Sequence, residues 1–339
     1  MRAILLTSSV LILALILLRT LLRGHISLRL QYALWLLVAV RLLVPFELGQ
    51  SAFSILSLAD QAREPPAVQA IETVGELSLP AQSFEDAYAQ VVEEYESRGI
   101  DVGSLTGSDR EALDYEAQSR MAGPTLSQLF STAGRWVYLA GAIAMAAWFL
   151  AANARFRHML RRRAEPASVP DCPLPVFVVE GLLSPCLFGL LHPAIYLTPS
   201  CLQDPVRLRH VLAHELTHHR HKDTWWSLIR CACLCLYWFD PLVWWAAVLS
   251  RRDCELACDE GAIRRLGEEE RLSYGRTLVD LVAVGASPTG LLQTATTMQS
   301  GKRSLRERVH LIARRPKMLA VTAVCLALAL VLAVGCTFT

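Results

Sequence analysis

The sequence predicts an α-helical polytopic membrane protein with an inserted α+β domain, and three observations lead to this prediction. Hydrophobic residues make up 53% of the 339 residues and charged residues 19%, whereas soluble chains have about 45–50% and about 25%. The apolar residues concentrate in four segments of close to the length that spans a bilayer. A stretch of ordinary polarity, long enough for one domain, separates the third segment from the fourth.

The four apolar segments cover about residues 3–18, 30–46, 136–152 and 318–334. Clusters of arginine and lysine lie between the first two segments, after the third and before the fourth. The positive-inside rule places these clusters in the cytoplasm and both termini outside. The predicted order is two N-terminal transmembrane helices (1–48), an outer loop (49–134), a third transmembrane helix (135–154), a cytoplasmic domain (155–317), and a fourth transmembrane helix with a short outer tail (318–339).

The formal net charge of +2 has two opposite parts. The loop 49–134 has 14 acidic and four basic residues, whereas residues 155–317 have 16 acidic and 23 basic residues. Within the loop we expect a short amphipathic helix at Glu85–Arg98 and otherwise a weakly ordered, solvated tether, with a folded sensor as the alternative. An acidic outer loop and a basic inner domain agree with the predicted orientation.

The segment 225–249 predicts an apolar helical hairpin inside the domain. Asp240 and Pro241 divide it, because aspartate caps helix N-termini and proline suits the first helical position. We expect the two helices in the domain core or dipping into the inner leaflet. The segment contains Cys231, Cys233 and Cys235. We interpret them as small buried hydrophobes rather than as metal ligands, because they lack a paired C-x-x-C.

The pattern H-E-x-x-H is the strongest chemical signal in the chain, and it consists of His214, Glu215 and His218. Apolar residues at helical spacing precede it, so we expect it on a helix. Positions four apart lie on one face of a helix, which lets both imidazoles reach one Zn²⁺ ion. Glu215 adjoins the first ligand and can take a proton from a water molecule that the zinc acidifies.

A catalytic zinc ion needs three protein ligands and an open position, so a third ligand is expected from another helix. Glu255 is the best candidate, and Asp259, one turn later, can accept a hydrogen bond from a ligating imidazole. His210 and Tyr274 are possible substrate contacts or supports of a ligand, and ordinary packing is the alternative for His210. The competing ligands are Asp253, Cys254, Cys258, His219 and His221.

Two strands are predicted upstream of this motif, at Val176–Glu180 and Ala194–Thr198, with glycine and proline turns between them. A strand beside a zinc-binding helix can bind an extended peptide by edge pairing. A small structural sheet is the alternative interpretation.

The chain resembles the BlaR/MecR-type membrane metallopeptidases, the antirepressors of inducible β-lactam resistance. The resemblance rests on H-E-L-x-H followed by Asp223, on W-F-x-P-L-x-W-W from Trp238 and on E-x-x-C-D from Glu255. The segments Ser184–Leu197 and Trp35–Pro45 are similar to that family too. The resemblance implies an inserted α+β gluzincin-type zinc metallopeptidase domain. It also implies that the protein lies in a bacterial plasma membrane and contacts membrane lipids.

The resemblance also implies roles for particular residues and a partner. Zinc would be held by His214, His218 and Glu255, with Glu215 as general base and Asp259 orienting a ligand. The expected substrate is a cytoplasmic winged-helix repressor of the BlaI/MecI type, and no direct binding of nucleic acid is expected.

One departure from the family affects the expected signal. Antibiotic receptors of the family carry a penicillin-binding domain after the fourth span, and this chain has no set of S-x-x-K, S-D-N and K-T-G motifs there. We therefore expect the sensor to be the acidic loop, a separate sensor protein or the membrane itself.

The expected function is a membrane-embedded zinc endopeptidase that cuts a cytoplasmic regulatory protein in response to an envelope signal. A quality-control or prenyl-protein-type membrane protease is the alternative within the same enzyme class. The alternative of another class is a non-catalytic receptor or scaffold with structural zinc, which would close its site with a fourth protein ligand such as Cys254 or Cys258.

Overall fold

The structure is a computed structural model, and it describes residues 2–22, 25–44, 78–80, 84–283, 296–297 and 302–314. The chain divides into two compact units. One comprises residues 1–60 together with 141–339, and the other comprises residues 61–140. The expected fourth transmembrane segment, at 318–334, lies outside the described residues.

The N-terminal part of the larger unit is three helices, α1 (Arg2–Leu21), α2 (Leu28–Ala33) and α3 (Trp35–Leu43). The second apolar segment is therefore two short helices that meet at Leu34, rather than one uninterrupted helix. Arg41, inside this segment, is buried and donates a hydrogen bond from Nε to Thr7 Oγ1 at 3.0 Å. The charged side chain therefore pairs within the helical bundle.

The smaller unit contains β1 (Ser78–Pro80), α4 (Phe84–Ser97), α5 (Ser108–Met121) and β2 (Ala122–Thr125). The helix expected at Glu85–Arg98 is present, shifted by one residue. The expectation of a weakly ordered tether around this helix was wrong for residues 108–121, which form α5. The strongly polar composition of α5 gave no sign of a helix. Leu113 and Ala117 of α5 are buried against Val91 of α4, so a few apolar residues suffice to pair two otherwise acidic helices.

The third apolar segment lies in α6 (Leu126–Arg163). By length and composition, Ser131–Arg163 is the one helix among the described residues that can cross a membrane, and its most apolar window has no buried residue. Large hydrophobic side chains such as Trp136, Ile143 and Trp148 are exposed along it. A largely exposed apolar helix of this length is suited to a lipid environment.

A mixed sheet follows α6. Its strands are β3 (Ala164–Ala167), β4 (Val176–Val179), β5 (Cys186–Phe188), β6 (Ala194–Leu197) and β7 (Thr296–Thr297), in the spatial order β3-β4-β6-β5-β7. Only β4 and β6 run parallel, and the other neighbours are antiparallel. The two predicted strands correspond to β4 and β6, each one residue shorter than expected.

The remaining helices are α7 (Pro199–Leu202), α8 (Pro205–His221), α9 (Asp223–Leu236), α10 (Pro241–Leu266), α11 (Arg271–Ala283) and α12 (Lys302–Arg314). Asp240 caps α10 as expected, because its side chain accepts a hydrogen bond from the Leu242 amide at 2.8 Å. Asp204 caps α8 in the same way. The second half of the apolar hairpin and the E-x-x-C-D motif therefore belong to one uninterrupted helix.

Helices α8 and α10 pack closely because one of them carries a glycine at the contact. A Cβ on Gly261 would lie 2.6 Å from Cγ2 of Thr217, which is too close for any other residue without a shift. Val211, Leu187 and Ile263 are fully or almost fully buried in the same core. Strand β5 thus lies against the H-E-x-x-H helix, and this places a main-chain segment beside Glu215.

Candidate metal centre

The two histidines of the motif face each other across one turn of α8. Both side chains are completely buried, and the distance between their Nε2 atoms is 3.1 Å. Each Nδ1 atom faces away from this gap and is already engaged, in His214 by Tyr274 and in His218 by Asp223. The hydrogen bonds on Nδ1 therefore leave both Nε2 lone pairs directed at the same point.

Glu255 of α10 completes a group of three potential ligands. Its Oε2 lies 3.5 Å from His214 Nε2, and its Oε1 lies 3.9 Å from His218 Nε2. Two ligands bonded tetrahedrally to zinc at about 2.0–2.1 Å would be about 3.3–3.4 Å apart. The three observed separations bracket this value, so the residues fit a zinc ion without rearrangement of the helices.

The charges around this group favour a bound cation. Burial raises the pKa of Glu255, but the contacts with His214, His218 and Arg308 outweigh it and the pKa is lowered. Burial lowers the pKa of His218, but the hydrogen bond to Asp223 and the nearby Glu255 raise it well above its usual value. The site thus combines an ionised carboxylate with two imidazoles, and its negative charge attracts a metal ion as it attracts a proton.

Glu215 lies beside the three potential metal ligands, and its environment differs from that of Glu255. Its side chain is fully buried, and neither carboxylate oxygen meets hydrogen-bond geometry with another group among the described residues. Burial raises its pKa, while the imidazoles of His218 and His214 and the Leu187 amide act in the opposite direction. A buried carboxylate with a raised pKa is suited to accept and release a proton.

His214 is supported from behind by two other helices. Its Nδ1 lies 2.8 Å from Tyr274 Oη on α11 and 3.3 Å from Asp259 Oδ1 on α10. Tyr274 in turn donates a hydrogen bond to Asp259 at 2.7 Å. Arg308 of α12 donates two hydrogen bonds to the same carboxylate, both at 2.7 Å. Tyr274 therefore contacts the side of His214 that faces away from the metal position.

His218 is supported by a residue close to it in sequence. Its Nδ1 lies 2.7 Å from Asp223 Oδ2, and Cys258 donates to the same oxygen at 3.1 Å. These three residues and Cys254 form a second buried group with the ligand types of a metal site. A separation of 2.7 Å is shorter than the roughly 3.3 Å of two metal ligands and matches a charge-assisted hydrogen bond. We therefore interpret this group as a support for His218.

The other candidates from the sequence lie away from the metal position. His210 is buried, with Nδ1 at 2.8 Å from Thr277 Oγ1 and Nε2 at 3.2 Å from Glu270 Oε2. His219 is exposed, and His221 lies at the rim of the cysteine pair, 3.7 Å from Cys258 Sγ. Asp253 is bound by Arg19, Gln31 and Trp35 of the N-terminal helices.

Sequence reasoning missed Arg308 and strand β5. No spacing rule connects Arg308 with Asp259, because 49 residues separate them. Strand β5 has only three residues, between a proline and a glycine, so it gives almost no periodic signal. From the sequence, Asp223 was named only as part of a family motif and was given no role. Its position just after the helix of His218 could have indicated a contact with that histidine.

A pair of helix-borne histidines, a glutamate from a second helix and a buried carboxylate beside them are typical of the metallopeptidases that use H-E-x-x-H. The chain belongs to the BlaR1 peptidase M56 family, whose sequence model matches residues 1–312.

Individual relatives are similar over shorter stretches. The regulatory protein BlaR1 of Bacillus licheniformis is 28% identical over 127 residues, which are 37% of this chain and 21% of the relative. The methicillin resistance protein mecR1 of Staphylococcus aureus is 24% identical over 98 residues, 28% of this chain and 17% of the relative. The mecR1 protein of Staphylococcus epidermidis gives the same values. The matches thus cover about a fifth of each relative's length.

Proposed function

We propose that the protein is a membrane-embedded zinc endopeptidase that hydrolyses a peptide bond in a cytoplasmic winged-helix repressor in response to an envelope signal. The observation that carries this proposal is the convergence of His214, His218 and Glu255 at zinc-ligand separations, with buried Glu215 beside them. The relatives named as regulatory and resistance proteins support a role in signalling.

The proposed chemistry assigns each side chain one task. Zinc, when bound, supplies the Lewis acidity that polarises the scissile carbonyl and acidifies the attacking water. His214, His218 and Glu255 hold the ion and leave a position open toward the substrate. Glu215 takes the proton from the attacking water and delivers it to the leaving amine. Its raised pKa, caused by burial, suits a group that must bind a proton and release it in each cycle.

The proposed location rests on the distribution of charge and apolar surface. The exposed apolar length of α6 would lie in lipid, followed by five arginines within residues 155–163 that favour the cytoplasmic side. The metal centre comes later in the chain than this cluster, so it would face the cytoplasm. Both termini and the acidic loop 49–134 would lie outside. There, that loop or a separate sensor protein would receive the signal.

The position of the cysteines argues against a purely structural zinc ion. A closed structural site would take a fourth ligand on the Nε2 side of the histidines. The Sγ atoms of Cys258 and Cys254 instead lie 3.1 and 3.9 Å from Nδ1 of His218, on the opposite side of the ring. Among the described residues, the candidate group on the Nε2 side consists of His214, His218 and Glu255 and includes no cysteine, which supports a catalytic site.

A single substitution separates metal binding from catalysis. Glu215→Gln keeps the size of the side chain and all three proposed ligands, so the variant should retain zinc. It cannot accept a proton, so we expect cleavage of a purified winged-helix repressor of the BlaI/MecI type to fall by a factor of roughly 100 or more. Zinc content is measured by mass spectrometry of metals, and cleavage by electrophoresis of the repressor.

Glu269→Gln is the matched control, because Glu269 is exposed and does not belong to the group of proposed metal ligands. It should retain both zinc and activity. Equal rates of repressor cleavage by the native protein and Glu215→Gln would overturn the proposed mechanism. Absence of zinc from the native protein would overturn the proposed metal centre.

A further inference from the structure

Arg308 is the buried cation of the metal centre that the proposed function leaves without a role. It lies on α12 and is 1% exposed, which makes it one of the two largest fully buried side chains among the described residues. Guanidinium groups are seldom buried unless each N–H finds an acceptor. Two carboxylates accept from Arg308: that of Asp259, which lies behind His214, and that of Glu255, a proposed metal ligand.

The contact with Asp259 is a two-point contact that fixes an orientation. Nε donates to Oδ2 and Nη2 donates to Oδ1, each at 2.7 Å. Paired hydrogen bonds of this kind specify the plane of a carboxylate, which a single point charge does not. With its plane fixed, Asp259 presents Oδ1 to Tyr274 at 2.7 Å and to His214 Nδ1 at 3.3 Å.

The contact with Glu255 brings the same guanidinium to a proposed metal ligand. Nη1 of Arg308 lies 3.4 Å from Glu255 Oε2, and Glu255 and Asp259 are neighbours on one face of α10. Without the cation, two buried carboxylates one turn apart would repel each other. Arg308 therefore compensates the charge of the pair and sets the direction of Asp259.

Helix α12 is held in place by apolar contacts on both sides of Arg308. Leu305 and Ile312 pack against the core of α8, α10 and α11, and Leu311 is buried with Leu28 and Leu256. Arg271 of α11 also donates a hydrogen bond to the carbonyl of Ile312 at 3.0 Å. The guanidinium can reach both carboxylates only while this helix is docked.

We infer that Arg308 is a positioning residue for the metal centre, acting through Asp259 on His214, so that the centre is completely ordered only while α12 is docked. The inference rests on the proposed metal-dependent function. By this inference, helix α12 directly influences the proposed metal ligands, which lie in α8 and α10. Since the fourth apolar segment begins four residues after α12, that influence would connect the metal centre with the membrane.

The decisive variant is Arg308→Lys, because it keeps the positive charge and loses the planar pair of hydrogen bonds. Supports of metal ligands typically change metal affinity by about 10- to 100-fold when removed. We expect the affinity for zinc to fall by about tenfold or more in Arg308→Lys. The measurement is a chelator competition on the full chain in detergent, with zinc itself as the probe.

Two further variants make the result specific. Arg306→Lys makes the same substitution at an exposed position of α12 and should leave zinc affinity unchanged. If Arg308 acts through Asp259, Arg308→Lys should cause little further loss in an Asp259→Asn background, because the two changes remove one interaction. The visible spectrum of the cobalt-substituted protein should change in Arg308→Lys and remain unchanged in Arg306→Lys.

A zinc affinity of Arg308→Lys equal to that of the native protein would overturn the inference, since a bare charge would then suffice. That result would leave the proposed peptidase function intact. If the native protein itself binds no zinc, the proposed function fails first, and the two failures are therefore distinguishable. Far-ultraviolet circular dichroism of each variant establishes that the measured losses belong to folded protein.

Discussion

The two histidines that face the metal position are supported from behind in different ways. His218 is held by Asp223, five residues later, and by Cys258. His214 is held by a chain of contacts that runs through Tyr274 and Asp259 to Arg308, on three other helices. The charged support of His218 is thus local, whereas that of His214 depends on the tertiary structure, and the two supports should differ in what they contribute to stability.

The largest expected effect concerns Asp259→Asn, at the centre of the long-range support. This change removes the closer of the two carboxylates that pair with the buried Arg308 guanidinium and leaves only the longer contact with Glu255. Breaking a buried ion pair costs about 3–5 kcal/mol of stability. The free energy of unfolding is measured by guanidinium titration of the metal-free protein in detergent. Asp280→Asn is the control, because Asp280 is exposed on α11. A loss below about 1 kcal/mol would show that the Arg308–Asp259 pair contributes little to the fold.

Asp223→Asn tests the local support and should have a smaller effect on stability. Its partners are an imidazole and a thiol, so no obligatory cation loses its counter-ion, and the expected loss is about 1–3 kcal/mol. Zinc affinity should still fall by about tenfold, because the Nδ1–H of His218 loses a charged acceptor. Chelator competition measures this change. If Asp223→Asn destabilised the protein more than Asp259→Asn, the proposed difference between the two supports would be wrong.

Tyr274→Phe removes one hydroxyl from the long-range support and leaves its ends in place. His214 Nδ1 and Asp259 Oδ1 are already 3.3 Å apart, so a small movement lets them bond directly. We therefore expect a loss of about 1 kcal/mol in stability and less than tenfold in zinc affinity. A loss as large as that of Asp259→Asn would mean that the phenol, rather than the carboxylate, orients His214.

The same contrast explains which parts of the molecule the sequence could predict. The grouping of His214, Glu215 and His218 follows from helical spacing, and the cap at Asp240 follows from a dipeptide, because both depend on near neighbours. The apolar helix around residues 136–152 is also a local property. The joining of Arg308 to Asp259 depends on how α12 packs, and no local rule indicates it.

Two further differences between sequence and structure have the same origin. The second apolar segment was expected as a single helix, but it divides at Leu34 into two helices that pack against α9 and α10. Asp253 was one of the competing metal ligands considered from the sequence. Instead it accepts hydrogen bonds from Arg19, Gln31 and Trp35, whose positions depend on the docking of those N-terminal helices.

The smallest expected effect concerns Lys222, the residue that turns the chain between His218 and Asp223. Its backbone is left-handed, with φ at 58° and ψ at 38°, and its amide donates to the carbonyls of His218 and His219. A non-glycine residue in this region costs about 1–2 kcal/mol, while glycine loses more backbone entropy on folding, by about 0.5–1 kcal/mol. Lys222→Gly should therefore stabilise the protein by no more than about 1 kcal/mol and leave zinc affinity unchanged, whereas Lys222→Val should destabilise it because β-branched residues are rare at positive φ. Thermal unfolding of both variants measures the difference. Lys222→Gly weakening zinc binding as much as Asp223→Asn would contradict this prediction. It would mean that the lysine side chain, rather than the backbone turn, holds Asp223 against His218.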